Sequence, residues 1–368
     1  MRVRASRVVS QRMVRGGSGN MRSSLSRHRV AAALFAFALL AAVPDTRRPA
    51  QGNLLAASLR LPGRSGLSVM TYNIEGLPWP VRQGREDAFH QMVGRLRDLR
   101  RRGDQPHVAL LQEVFADDAR GIGAAAGYRY VVDGPNIDAP GGARVGDNRL
   151  FDAGRSFWKG ERSGKLVGSG LQILSDYPVL AVRRAAFPKG ACAGYDCLAN
   201  KGMVMAVIDV PGPSPVAMVD VHLNSRHASG VSLGRSLYAY REQVDALAAF
   251  LRDNAPADIP VIVGGDFNIG HDPSRRAYVR SRLAAWLGST QHNAFTQCLN
   301  DPDCRAAMPD DARRSLDHGR DWEFIRPGDR SNLTPRQITT PFGRDRSGAM
   351  LSDHIGYVVA YRRLAANT

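Results

Sequence analysis

Short apolar, β-branched runs alternate along the chain with stretches of helical period. Leu67–Asn73, Val108–Val114, Leu171–Leu174, Met203–Val210, Val216–Leu223, Ile259–Phe267 and Ile355–Tyr361 predict strands, because continuous runs of this kind fit sheets buried on both faces. Glu86–Arg101 predicts an amphipathic helix with Phe89, Met92, Val93, Leu96 and Leu99 on one side. Leu233–Asp253 predicts a second, whose apolar face carries Leu237, Tyr240, Val244, Leu247 and Leu251. The polar, Gly-rich stretches 133–169 and 326–348 read as surface loops. No internal repeat interrupts the pattern, so we expect one α+β domain over about residues 66–364.

An uncharged stretch, Val30–Val43, follows a run of basic residues that ends at Arg29. It is too short for a bilayer, whose apolar core of about 30 Å needs roughly 20 residues, and it reads as an export signal within residues 1–60. We therefore expect an exported protein, secreted or periplasmic. Met21 is a second candidate start, and an uncleaved anchor is the alternative reading.

That segment also changes the meaning of the charge. The 368 residues include 50 basic and 34 acidic ones, a net of +16. Ten of the basic residues and one acid lie in residues 1–48, so the remainder carries 40 against 33, about +7. Four of the 50 are Lys, and such an Arg excess fits genomic base composition better than a nucleic-acid surface. Charge therefore does little to choose a substrate. The four Cys fall into two pairs, Cys192/Cys197 and Cys298/Cys304. Four allow three connectivities, of which two local bridges are the simplest; zinc is the rival reading, without finger spacing or a His partner to support it.

The chemistry gathers where strands end. Asn73 closes the first strand, Glu113 the second and His222 another; GGDFN supplies Asp266 and Asn268, and SDH supplies Asp353 and His354 just before the last strand. Polar residues that terminate apolar strands converge at one sheet edge. Carboxylates, Asn and His are what a hard divalent cation and a phosphate group require: oxygen ligands, proton carriers and positive charge. Taken singly, each has a bland reading as a turn residue, a helix cap or a core His.

In this order, MTYN, LLQEV, SGLQILS, VHL, GGDFN and SDH resemble the endonuclease/exonuclease/phosphatase superfamily, over residues 69 to about 361. The resemblance implies a DNase I-like, four-layer α/β sandwich, two packed sheets flanked by helices, with the site at one end. It implies that Glu113, assisted by Asn73, binds the catalytic Mg²⁺, with Mn²⁺ a second candidate and Asp353 a further metal neighbour. Asp266 and Asn268 would orient the attacking water and the scissile phosphate. His354 would be the general base and His222 would stabilise the phosphate or aid the leaving group. Asp321 in DWEFI is the candidate to orient His354, with Asp317 its competitor. Glu75 is either an acidic metal neighbour or a solvated loop residue.

Three features tilt the substrate. YNIEGLPWP, ANKGMVMAVI with Lys201, and the helix after VHLNSRH are similar to segments of neutral sphingomyelinases. Lys201 would neutralise a phosphodiester oxygen or else snorkel at a strand end. We expect a phosphodiester substrate, a phospholipid ahead of nucleic acid, with transient membrane-surface contact and no protein partner. Trp79, between two prolines, is the interface candidate, although a buried Trp is the commoner outcome; no hydrophobic hairpin for membrane insertion is evident. A secreted nuclease is the alternative. A non-catalytic binding module is the third reading, disfavoured because no motif carboxylate or His is missing.

Overall fold

The computed structural model describes residues 66–77, 82, 84–142, 149–288 and 293–365. The export segment and Trp79 lie outside the described residues. Eleven strands are described: β1 Gly66–Asn73, β2 Val108–Gln112, β3 Tyr130–Asp133, β4 Gln172–Ser175, β5 Val179–Ala186, β6 Gly202–Ile208, β7 Val216–His222, β8 Val261–Asp266, β9 Asp321–Arg326, β10 Ser331–Phe342 and β11 Gly356–Ala365. They form a six-stranded sheet in the order β10-β11-β1-β2-β4-β3 and a five-stranded sheet in the order β5-β6-β7-β8-β9. Each sheet is antiparallel apart from one parallel pair, β1 with β2 and β7 with β8.

Alternation along the strands explains the packing. Val69, Val108, Leu110, Met218, Ile262, Ile325 and Val359 meet in the core that joins the sheets. Their neighbours turn outward and are covered by helices. Helix Glu86–Arg102 lays Phe89, Met92, Leu96 and Leu99 on Met70, Tyr72, Ala109 and Leu111 of the larger sheet. It ends at Gly103, whose φ of 73° suits glycine and lets its N–H reach the Arg100 carbonyl. On the smaller sheet, helix Leu233–Asn254 packs Tyr240, Val244, Leu247 and Leu251. Helix Pro273–Leu287 adds Val279 and Leu283 to that layer. The result is an α+β sandwich of two mixed sheets flanked by helices.

One expectation is corrected. Residues 326–348, read as a surface loop, contain the longest strand, β10. Its Pro335 and Pro341 argue against an interior strand, but β10 is a sheet edge, where the missing N–H is tolerated, and its register with β11 shifts beside both prolines.

Cys192–Cys197 and Cys298–Cys304 are disulfides, and Cys298 and Cys304 are wholly buried in the inter-sheet core. In the chain-entropy model a bridge closing so short a loop stabilises by about 2 kcal/mol. The double variant Cys298→Ala/Cys304→Ala is therefore expected to melt earlier but still fold. Peptide maps of unreduced, exported protein should show both local links, and four free thiols would contradict them.

Candidate active site

Register alone assembles half of the site. His222 of β7 pairs with Asp266 of β8, which pairs with Asp321 of β9, so the three form one row across the end of the smaller sheet. They continue the alternation that sends Met218 and Ile262 into the inter-sheet core, and hence face the larger sheet. Opposite them, Asn73 ends β1, and Glu113 follows β2 with a φ of 60° that turns it out of the strand.

Asn73 joins the two sides. Its amide nitrogen donates to Glu113 Oε1 at 3.0 Å and to Asp266 Oδ2 at 3.2 Å, while its Oδ1 accepts from the Glu75 N–H. In this pose Asn73 orients the two carboxylates. Burial drives the Glu113 carboxyl up to about 7, opposed by the Asn73 hydrogen bond and the charges of His354 and Lys201. Burial likewise pushes Asp266 up to about 6, against the pull of His354. Carboxylates kept this close out of water are short of positive charge.

His354 lies over the row. Its Nδ1 is 3.0 and 2.8 Å from the two oxygens of Asp321, and its Nε2 is 3.8 Å from Asp266 Oδ2. Asp321 is thus the carboxylate that touches His354, whereas Asp317 is exposed on the preceding helix, Asp310–His318. Burial opposes charging the imidazole, but Asp321 and Asp266 outweigh it and raise the His354 pKa to about 10. Ser352 accepts from the His354 N–H and donates to the Asn73 carbonyl, so the histidine loop is tied to the end of β1.

His222 has the opposite electrostatics. Burial, then the charges of Lys201 and His354, holds its pKa well below the ordinary range, so it is neutral. Its Nε2 is 3.1 Å from Lys201 Nζ and 3.4 Å from Asp266 Oδ2. Lys201 is 8% exposed and also forms an ion pair with Asp196. Asn268, at φ 49°, donates its backbone N–H to Asp266 Oδ1 and its side-chain amide to the Leu223 carbonyl.

Two candidates fall outside this cluster. Asp353 stands at the rim with its side chain 57% exposed, 3.4 Å from Arg320 and 4.0 Å from His354 Nε2. Glu75 is buried and paired with Arg82 and Arg85, so it is neither solvated nor directed at the carboxylates. Among the described residues, the group compact enough to hold an ion is Asp266, Asp321 and His354. Both oxygens of Asp321 are engaged by His354, which leaves Asp266, with neighbouring Glu113, as the better oxygen donors.

Residues that sequence reasoning passed over support this cluster. Asp196, in a segment read for its cysteines alone, accepts from Lys201 and from the Ser225 backbone N–H. One layer below, Gln112 donates to Asp220 and Tyr361 to Glu323, and burial pushes both carboxyls well above the usual range. Arg275, 0% exposed, donates to the carbonyls of Asn224 and Asn268, both at 2.8 Å, and to Ser236 Oγ at 2.6 Å. It thereby ties the segment after His222 to the segment after Asp266. Arg275→Met is expected to lower kcat by at least about tenfold with KM little changed, since displacements of an ångström misalign reacting groups. A role confined to folding would lower the melting temperature and leave kcat of the folded fraction intact.

A family model, Endonuclease/Exonuclease/phosphatase family, matches residues 70–355. No curated protein sequence matches the chain. Among solved structures, sphingomyelinase C from Streptomyces griseocarneus is similar at 21% identity and a TM-score of 0.52, covering 82% of this chain and 99% of that one. A beta toxin mutant from Staphylococcus aureus with bound magnesium ions is similar at 17% identity and a TM-score of 0.53, covering 80% and 99%. D. rerio TDP2 complexed with a single-strand DNA product is similar at 16% identity and a TM-score of 0.50, covering 83% and 100%. At these identities the likeness to each is one of fold.

Proposed function

The chain belongs to the endonuclease/exonuclease/phosphatase family, and from that premise we propose that it is an exported, Mg²⁺-dependent phosphodiesterase of sphingomyelinase-like type, which releases the phosphorylated head group of a phospholipid. The observation that carries the reading is the pair of carboxylates, Glu113 and Asp266, bridged by Asn73 beside an Asp321–His354 dyad. Family members hydrolyse phosphoester bonds, and this donor set fits a hard cation: two buried carboxyls whose pKa values are raised because the charges of His354 and Lys201 only partly offset their burial. Such an ion, held by Glu113 and Asp266, would polarise a phosphoryl oxygen.

The chain's own residues supply the rest. His354, oriented through Nδ1 by Asp321, takes the proton of the attacking water at Nε2. Offsetting the Asp266 charge lowers the His354 pKa, the condition for that transfer. Lys201, fixed by Asp196 next to His222, offers positive charge to a non-bridging phosphate oxygen. Asn268 holds Asp266 in place through its backbone N–H. The likeness to sphingomyelinase C supports the lipid substrate, and the two disulfides support export.

The test is a side-by-side assay with Mg²⁺ on sphingomyelin vesicles, phosphatidylcholine, single- and double-stranded DNA and inositol phosphates. Release of phosphocholine without DNA nicking is the expected result. DNA cleavage without lipid hydrolysis would replace this reading with that of a nuclease.

A further inference from the structure

Three apolar side chains stand out in solvent within nine residues: Leu150 at 87% exposure, Phe157 at 59% and Trp158 at 70%. Large apolar side chains this exposed, and this close in sequence, mark an interaction surface. They are not the slack of an untethered loop, because the segment is fastened on both sides of the tip. Before it, Phe151 is buried against Tyr238, under the Arg235 guanidinium at 4.1 Å, and its carbonyl accepts from Arg235. After it, the Glu161 carboxylate accepts from the backbone N–H groups of Ser156 and Gly194 and from Arg235 Nε.

Residues 149–162 carry four basic side chains against two acids, an excess of positive charge. Of the two acids, Glu161 is buried and paired with Arg235, and the partly exposed Asp152 lies 3.7 Å from Arg155. Lys159 and the exposed Arg162 follow the aromatic pair. The segment also leads back to the site. Lys159 lies over the Tyr195 ring at 5.2 Å, and the turn Gly194–Leu198 holds Asp196, the partner of Lys201.

We propose that Leu150, Phe157 and Trp158 form an interfacial anchor that docks the protein on an anionic lipid bilayer. Leucine and phenylalanine enter the acyl boundary, the amphipathic indole sits at headgroup level, and Lys159 and Arg162 meet lipid phosphates. Single-stranded nucleic acid also suits aromatic and basic side chains, but the most exposed member is Leu150, which has no face on which a base could stack. The inference rests on the phospholipid reading and names the surface by which that substrate is met.

The exported protein, with its metal chelated so that no lipid is consumed, is sedimented with phosphatidylcholine vesicles with and without phosphatidylserine. Wild-type protein is expected to partition onto the anionic vesicles. The variant Leu150→Ser/Phe157→Ser/Trp158→Ser is expected to lose at least about tenfold in partition, while hydrolysing a soluble ester, bis(p-nitrophenyl) phosphate, at the wild-type rate. Lys159→Gln/Arg162→Gln should abolish the preference for phosphatidylserine. Equal sedimentation of the triple variant and wild type overturns the proposal, as does absence of wild-type binding. Loss of oligonucleotide binding in place of vesicle binding would make the surface a nucleic-acid one. Because binding is read without turnover, cleavage of DNA alone would sink the catalytic reading and leave this measurement standing.

Discussion

Replacing His354 with glutamine is expected to cut turnover by about 10²- to 10⁴-fold, the usual contribution of a positioned proton transfer. Glutamine keeps a donor for the buried Asp321 carboxylate and removes the group that accepts the proton, so thermal stability should change little. His354→Ala should be as inactive, but less stable, because Asp321 is 4% exposed and would lose its imidazole partner. Asp321→Asn should lower turnover by less, through loss of tautomer and orientation. The double variant should be no worse than His354→Ala alone, since the two act as one unit. Near-normal turnover in His354→Gln would remove the proposed mechanism.

Glu113→Gln is expected to weaken the response to Mg²⁺ and to lower turnover by at least about 10²-fold at limiting metal. Its effect on stability has the opposite sign. The folded-state pKa of Glu113, about 7, lies above the ordinary value of 4.5. Folding therefore favours the protonated form, and the charged carboxylate costs stability increasingly as pH rises from about 4.5 through 7. In EDTA at pH 8 the variant should melt above the wild type, whereas saturating Mg²⁺ should raise the wild-type melting temperature more than the variant's. Unchanged turnover at limiting Mg²⁺, or equal stabilisation of both proteins by the metal, would refute the assignment of Glu113.

How far the sequence reveals this molecule depends on where each strand lies. The interior strands, such as β2, β7 and β8, are buried on both faces and appear as predominantly apolar runs. None of the four sheet edges, β3, β5, β9 and β10, was predicted from pattern. Each answers to only part of the core: β5 carries Arg183 and Arg184 outward, β9 interleaves Asp321 and Glu323 with its apolar residues, and β10 alternates polar side chains with two prolines. Edge strands tolerate such residues because half of their ladder is unpaired.

The site divides along similar lines. Asn73, Glu113, His222 and Asp266 were legible because each ends a run that the core makes apolar. Asp196 and Arg275 were not. Asp196 sits in a short disulfide-closed turn, and Arg275 on a helix of weak amphipathicity, where an arginine ordinarily reads as surface. Only the folded chain reveals that Arg275 reaches beneath that helix to the carbonyls of two separate strand ends.

The non-glycine residues described with positive φ are Glu75, Glu113 and Asn268, at 54°, 60° and 49°, and all three lie in or beside the cluster. Asparagine tolerates this conformation; for a long side chain it costs roughly 1 kcal/mol or more, which glycine would not incur. In evolutionary terms, a lineage that kept this scaffold only to bind would gain stability by letting glycine drift into position 113. Glycine at position 113 would relieve that backbone cost and remove the carboxylate with it, so the same substitution that eases folding would empty the cluster of its Glu113 oxygen donor.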